Sequence, residues 1–287
     1  IDALAGIAVN GTGHNHPKVA AAIKDQADKL IHCSNLYYNE PQSKLAKRLT
    51  ELSGLERAFF CNSGAEAVEA ALKLARRYGD KHGKTGPVYS FTNCFHGRTI
   101  ATIALGKTKY QDGFGPMPEG LKQLPFNEIE PLRQNIDKNT KAVIVEPIQG
   151  EGGIVPAKKE FLQALREICT ENDVLLIFDE IQCGMGRTGK LFAYEYFGVK
   201  PDVITIAKAL GGGFPIGAML ATEKASEAFE FGIHGTTFGG NPLACSAANA
   251  VLDVIEEEQL LKQVEEKGRY FTDNIKEKTK DIKSVKE

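Results

Sequence analysis

The chain has 287 residues, 42% of them hydrophobic, and a formal net charge of -2, so it can bury one large core or two smaller ones. That balance gives no electrostatic reason to expect a nucleic acid or an acidic membrane surface as partner, and no apolar run is long enough to span a membrane. Six cysteines (Cys33, Cys61, Cys94, Cys169, Cys183, Cys245) without a C-x-x-C pair point to reduced, mostly buried thiols in a cytoplasmic protein.

The opening "IDALAGIAVNG" starts at Ile1, shows no signal-peptide pattern and reads as the interior of a longer chain. His14 and His16 follow in the glycine-bracketed loop "GTGHNHP". No histidine or cysteine shows ligand spacing, so no metal is expected. From about residue 54 to 225 helical and strand patterns alternate. In "SGAEAVEAALKLARRY" (63–78), Val68, Ala71, Leu72 and Ala75 fall on one helical face, and Ser63 with Glu66 has the spacing of a capping box. "PVYSF" (87–91) and "AVIVE" (142–146) read as strands. "AKKEFLQALREICTEN" (157–172) reads as a helix with Phe161, Leu165, Ile168 and Cys169 inward. "VLLIFDE" (174–180), "DVITIA" (202–207) and "GAMLA" (217–221) are further strands. Strands that are apolar throughout and separated by helices predict a largely parallel sheet covered on both faces. From Asn241 to Lys280 the pattern becomes one or two long, increasingly charged helices leaving the sheet domain.

Three of the strands end in a charged residue: Glu146, Asp179 and Lys208. In open α/β sheets ligands bind beyond the carboxyl ends of the strands. A salt bridge at the sheet edge would account for the charges but not for Gly211, Gly212 and Gly213, which follow Lys208. Desolvation beside a core strand makes a lysine easier to deprotonate, so Lys208 is a candidate nucleophile toward a carbonyl, forming a Schiff base. The glycines would let backbone approach a cofactor closely. The helix opening at "SGAEA" offers free N–H groups to a phosphate, and a buried Asp179 could keep a ring nitrogen protonated. Together these needs fit pyridoxal 5'-phosphate. The competing reading is a P-loop ATPase, since "VLLIFDE" has the form of a Mg²⁺-holding strand. "GDKHGKT" (79–85) is one residue short of the phosphate loop and follows a helix. "GMGRTGKL" (184–191) has Leu191 where a hydroxyl should bind the metal. Neither keeps both the spacing and the chemistry.

"FCNSGAEAVEAALKLAR", "FHGRT", "VEPIQGEGG", "DEIQCGMGRTG", "AKALGGGFPIGA" and "HGTTFGGNPLAC", in that order, resemble the class-III, or ornithine-type, aminotransferases of fold type I over residues 1 to about 255. The resemblance implies an α/β fold with a largely parallel seven-stranded sheet flanked by helices. It divides the chain into an N-terminal segment of a small domain (1–35), a large cofactor-binding domain (36–245), and a linking helix with the start of a C-terminal small domain (246–287).

For the site it implies that Lys208 carries the Schiff base and shuttles the proton, with Asp179 paired to the ring nitrogen. Gly64 and Ala65 would hold the phosphate, Phe95 and Ile181 would cover the ring's two faces, Gln182 would reach its 3-oxygen, and Glu180 would count among the cofactor contacts. Arg98 would take the substrate carboxylate as a planar fork, with Glu146 and Glu151 also on the substrate side. Thr237 would reach the phosphate of a neighbouring subunit's cofactor, with Thr236 beside that substrate, in a homodimer whose site lies at the interface. The stretches "AGIAVNGTGHNHP" and "SNLYYNEPQ" look most like the branch acting on acetylornithine with 2-oxoglutarate, ahead of ornithine, succinylornithine or γ-aminobutyrate. In relatives Glu151 pairs with a distal arginine of the C-terminal domain, and the sequence stops at Glu287 before any match to it. A non-catalytic cofactor-binding or dimerising piece is therefore the reading from a different class.

Overall fold

A computed structural model describes residues 2–285. Runs of four or five apolar residues form the centre of a seven-stranded sheet. In chain order its strands are β1 (Arg57–Cys61), β2 (Val88–Phe91), β3 (Leu121–Leu124), β4 (Ala142–Val145), then, after a small hairpin of β5 (Ile148–Gln149) and β6 (Val155–Pro156), β7 (Leu175–Asp179), β8 (Val203–Ile206) and β9 (Gly217–Ala221). The spatial order is β1-β9-β8-β7-β4-β2-β3. From β8 to β3 every pairing is parallel, and β9 runs antiparallel to both its neighbours.

Every residue of β2, β4, β7, β8 and β9 is buried, which is why these strands read as unbroken apolar runs. Successive side chains nevertheless serve opposite faces. Ala142, Ile144, Leu175 and Ile177 pack with Val68, Leu72 and Ala75 of the helix Gly64–Lys81. Val143, Val145, Leu176 and Phe178 pack on the other side with Phe161, Leu165 and Ile168 of the helix Lys159–Glu171. The inward faces expected for both helices are the observed ones.

The two strands at the sheet's ends were not anticipated. β1 begins with an exposed arginine ahead of a short Ala58–Cys61 apolar run that leads straight into the helix at Gly64, and β3 carries an exposed Lys122 in a mostly polar stretch. Two helices near the N-terminus, Pro17–Lys29 and Glu40–Ser53, were likewise unforeseen, although their signals are present. His16 and Asn39 cap their starts by accepting from Lys18 and Gln42 N–H groups, each helix has a proline in its first turn, and Gly54 closes the second with φ +66°. Both pack on the helix Pro242–Glu257, and Val19 joins the same core as Ala244 and Ala248. The boundary expected at 245/246 falls inside that helix, and a second helix, Leu260–Thr279, follows with no buried residue.

Candidate active site

β4, β7 and β8 are adjacent and parallel, so their carboxyl ends reach one edge of the sheet together, and register sets Asp179 opposite Thr205. There Glu146, Asp179 and Lys208 line one cleft of about 460 Å³. Ser63, Gly64 and Ala65 form one wall, and Phe95, His96 and Arg98 another. No phosphate loop is needed to account for it.

Lys208 leaves β8 in the left-handed region, φ +47°, a conformation a residue with a Cβ adopts only under constraint. Burial draws its amine below the ordinary lysine range, against the opposing pull of Asp179, Glu151 and Glu146. A neutral amine is therefore more accessible than on a surface lysine.

Asp179 is buried and fully engaged. His96 Nδ1 donates to its Oδ2 at 2.7 Å, while the Thr205 hydroxyl and the Ile181 N–H donate to Oδ1, each at 3.1 Å. Burial of the His96 ring opposes its charged form, but Cys94 and Asp179 outweigh that and raise its pKa well above the usual value. The reading of the sequence missed His96. It lies inside "FHGRT", but nothing in the spacing tells which strand end a histidine there will face.

The helix Gly64–Lys81 begins as expected. Ser63 Oγ accepts from the Glu66 N–H at 3.3 Å, while the Glu66 carboxylate accepts from the Asn62 N–H at 2.8 Å. Ser63 also takes the Ala67 N–H, so the N–H groups of Gly64 and Ala65, both in the cleft, have no partner among the described residues. A Cβ on Gly64 would sit 2.8 Å from Ile181 Cδ1, which shows how closely the helix start packs on the loop after β7. Arg98 makes no ion pair among the described residues. Its guanidinium lies over the Tyr110 ring at 4.1 Å, with the Phe95 ring at 5.5 Å.

One expected cofactor contact, Glu180, is placed elsewhere. Glu180 turns away from the cleft, and its carboxylate accepts from the N–H groups of Ala193 and Tyr194 at 2.7 and 2.8 Å. Burial pushes its pKa up to about 8. It holds the loop before residue 194 and does not contact the cleft. Glu146 lines the cleft as expected, and its oxygens accept from the N–H groups of Phe95 (3.0 Å) and Gly150 (3.3 Å), which fixes the carboxylate between two loops. Glu151 lines a neighbouring cavity of about 570 Å³ with Gln182, Arg187 and Ile154. Thr236 bonds back to Asn62 and Gly239, and Thr237 is exposed, so neither meets this chain's own cleft. Of the three glycines after Lys208 only Gly213 lines the cleft. A Cβ on Gly211 would meet the Phe214 carbonyl at 2.0 Å, and Gly212, at φ +57°, packs against Val251. Those two serve the turn.

Residues 1–287 match the description "Aminotransferase class-III". The chain is a class-III aminotransferase. It is 57% identical to acetylornithine aminotransferase of Methanocaldococcus jannaschii, over 100% of this chain and 73% of that protein. It is 53% identical to succinylornithine transaminase of Yersinia pseudotuberculosis, over 96% of this chain and 69% of that protein. Among solved structures, the ornithine aminotransferase of Toxoplasma gondii, whose active site is described as partly occupied by the cofactor, superposes with a TM-score of 0.92 at 35% identity, covering 96% of this chain and 67% of that one.

The α/β architecture of fold type I and the family cofactor, pyridoxal 5'-phosphate, both stand. The residues present in this class-III aminotransferase fit that cofactor. Two unpartnered N–H groups at a helix start suit a phosphate, a buried carboxylate with three donors suits a ring nitrogen, and a desolvated lysine faces the same space.

Proposed function

We propose that the chain transfers the δ-amino group of N2-acetyl-L-ornithine to 2-oxoglutarate, giving N-acetyl-L-glutamate 5-semialdehyde and L-glutamate in arginine biosynthesis. The observation that carries this reading is the meeting of Lys208, Asp179 and an ion-pair-free Arg98 in one cleft at the ends of adjacent parallel strands. The name and identity of the archaeal relative support the choice of amino donor. A succinylated donor is the second reading, supported by the relatives named succinylornithine transaminase; ornithine and γ-aminobutyrate rank below it.

When bound, pyridoxal phosphate supplies an aldehyde and an electron-withdrawing ring that acidifies the carbon bearing the amino group. The protein's own residues do the rest. Lys208, partly desolvated, offers an amine that can hold a proton or release it at the reacting carbon. Asp179, kept in place by His96 and Thr205, holds positive charge at the ring nitrogen. The N–H groups of Gly64 and Ala65 anchor the phosphate. Phe95 and Ile181, which line the cleft, would cover the faces of the ring, and Gln182, also in the cleft, would reach its 3-oxygen. Arg98 stays available for a carboxylate because aromatic rings, not an acid, hold its guanidinium. Thr236 and Thr237 would serve the partner's site in a homodimer, with Glu151 on the substrate side. The setting is the cytoplasm, and no helix among the described residues is long and apolar enough to cross a membrane.

The test titrates cofactor-loaded protein with acetylornithine, succinylornithine, ornithine and γ-aminobutyrate, following the visible absorbance and the glutamate formed from 2-oxoglutarate. Acetylornithine should bleach the band at the lowest concentration. Lys208→Ala should lose both the band and turnover. A band that no donor bleaches would favour the non-catalytic reading, bleaching without glutamate formation would show the first half-reaction alone, and wild-type turnover by Lys208→Ala would end the assignment.

A further inference from the structure

Glu146 stands where β4, a central strand, enters the cleft, and it is 5% exposed. Its two oxygens reach in different directions. Oε2 accepts the Phe95 N–H, in the segment after β2 that carries Phe95, His96 and Arg98. Oε1 accepts the Gly150 N–H, at the turn of the β5–β6 hairpin that carries Glu151. Gly150 packs directly on Gln182, since an added Cβ would lie 1.5 Å from Gln182 Oε1, so the hairpin turn touches a residue that lines the cleft. The buried Gln149 side chain, which donates to the Thr92 carbonyl at 2.9 Å, ties the same two walls together behind Glu146. A carboxylate can accept from both walls at once. An amide cannot, because its NH2 group only donates, and a protonated acid does so more weakly, because its hydroxyl oxygen is a poorer acceptor than a carboxylate oxygen.

We propose that Glu146 is a positioning residue that sets the spacing between the Phe95–Arg98 wall and the Gly150–Gln182 wall, and so the width of the slot that receives the cofactor ring and the amino donor. The inference rests on the aminotransferase reading above. Burial pushes the Glu146 carboxyl up to about 7. The charged groups facing it are His96 from the segment after β2, which opposes that rise, and Asp179 at the end of β7, which adds to it. Lys208 after β8 and Cys183 also feel its charge. Above that value both walls are gripped. As pH falls through it, one oxygen takes a proton and the grip on one wall weakens.

The experiment compares wild type, Glu146→Gln and Glu146→Asp as holoenzymes. It measures kcat and KM for acetylornithine between about pH 6 and pH 8, the Kd for pyridoxal phosphate, and the circular dichroism of the bound cofactor's visible band. Glu146→Gln should raise KM about tenfold with kcat changed less than about threefold, since one charge-assisted bond to backbone is lost and the chemistry is untouched. Its KM should vary less with pH than that of the wild type, which should rise toward acid pH. The cofactor dichroism should differ from wild type, because the wall against the ring has moved. Glu146→Asp, which keeps the charge but has a shorter reach, should retain the pH dependence at a higher KM and covers the case in which the glutamine variant fails to fold. Unchanged KM, pH profile and dichroism in Glu146→Gln would overturn the proposal, and so would a loss confined to kcat. Should no donor be turned over by the wild type, the substrate reading fails. The cofactor Kd and dichroism then still decide whether Glu146 sets the slot.

Discussion

A carboxylate that must hold charge against a ring nitrogen needs donors around it, and Asp179 has three, from His96, Thr205 and Ile181. The His96 contact is the shortest, and with its pKa raised this ring can bring a positive charge to the carboxylate. His96→Phe keeps the ring's bulk and removes that donor. A buried hydrogen bond to a charged group contributes about 1.5–3 kcal/mol, so kcat should fall roughly 10- to 100-fold, and the Kd for pyridoxal phosphate should rise. Steady-state rates and cofactor titration of the variant check both, and wild-type values for each would remove His96 from the site. The sequence showed Asp179 and Lys208 because each ends a buried run of apolar residues, where a charge stands out. His96 is in a loop, and its partner lies on a strand distant in sequence, so only folding reveals the pair. Glu180 misled for the opposite reason. It follows Asp179 directly, but adjacent residues of an extended chain point to opposite sides, and its side chain serves the loop behind the sheet.

At the scale of elements, the phosphate end of the cleft depends on how one helix begins. Ser63 caps the helix Gly64–Lys81 by taking the Glu66 N–H, which leaves the first two N–H groups directed to the cleft. Ser63→Ala should cost about 1 kcal/mol of stability, the usual effect of losing a serine cap, seen as a lower urea midpoint at unchanged slope. The same variant should bind pyridoxal phosphate more weakly because the helix start is less well fixed. A midpoint and affinity equal to wild type would mean that the Glu66–Asn62 bond holds the start unaided. This cap was readable from Ser63 and Glu66 alone, as were the five interior strands. The end strands β1 and β3 were not: in β3 Lys122 and Gln123 interrupt the apolar pattern, and in β1 a four-residue run sits directly before the helix at Gly64. The reversed direction of β9 was also hidden: "GAMLA" is as apolar as the parallel strands of the sheet, and direction follows from the connection, not from composition.

For the molecule as a whole, the telling feature is apolar surface gathered beside the residues that do not meet their own cleft. Leu36, Tyr37 and Tyr38 are 79%, 68% and 101% exposed, and Phe231 and Phe238 are 101% and 60% exposed. The two segments are joined, since the Asn35 side chain donates to the carbonyls of Thr236 and Gly239. Large aromatic side chains clustered in water mark a contact surface, and a second copy of the chain is the occupant that would also give Thr236 and Thr237 a site to serve. The chain should therefore sediment at twice its sequence mass. Replacing Leu36 and Phe238 together by aspartate should shift it to the monomer, because burying two uncompensated charges in an apolar interface is strongly unfavourable. If Thr236 and Thr237 act across that interface, the monomeric variant should lose turnover, keep its far-ultraviolet circular dichroism and bind pyridoxal phosphate less tightly. Adding an excess of a Lys208→Ala chain with an intact face should not restore it, since the aspartates still block the contact. A variant that stayed dimeric, or a monomer with full turnover, would show that the face has another purpose.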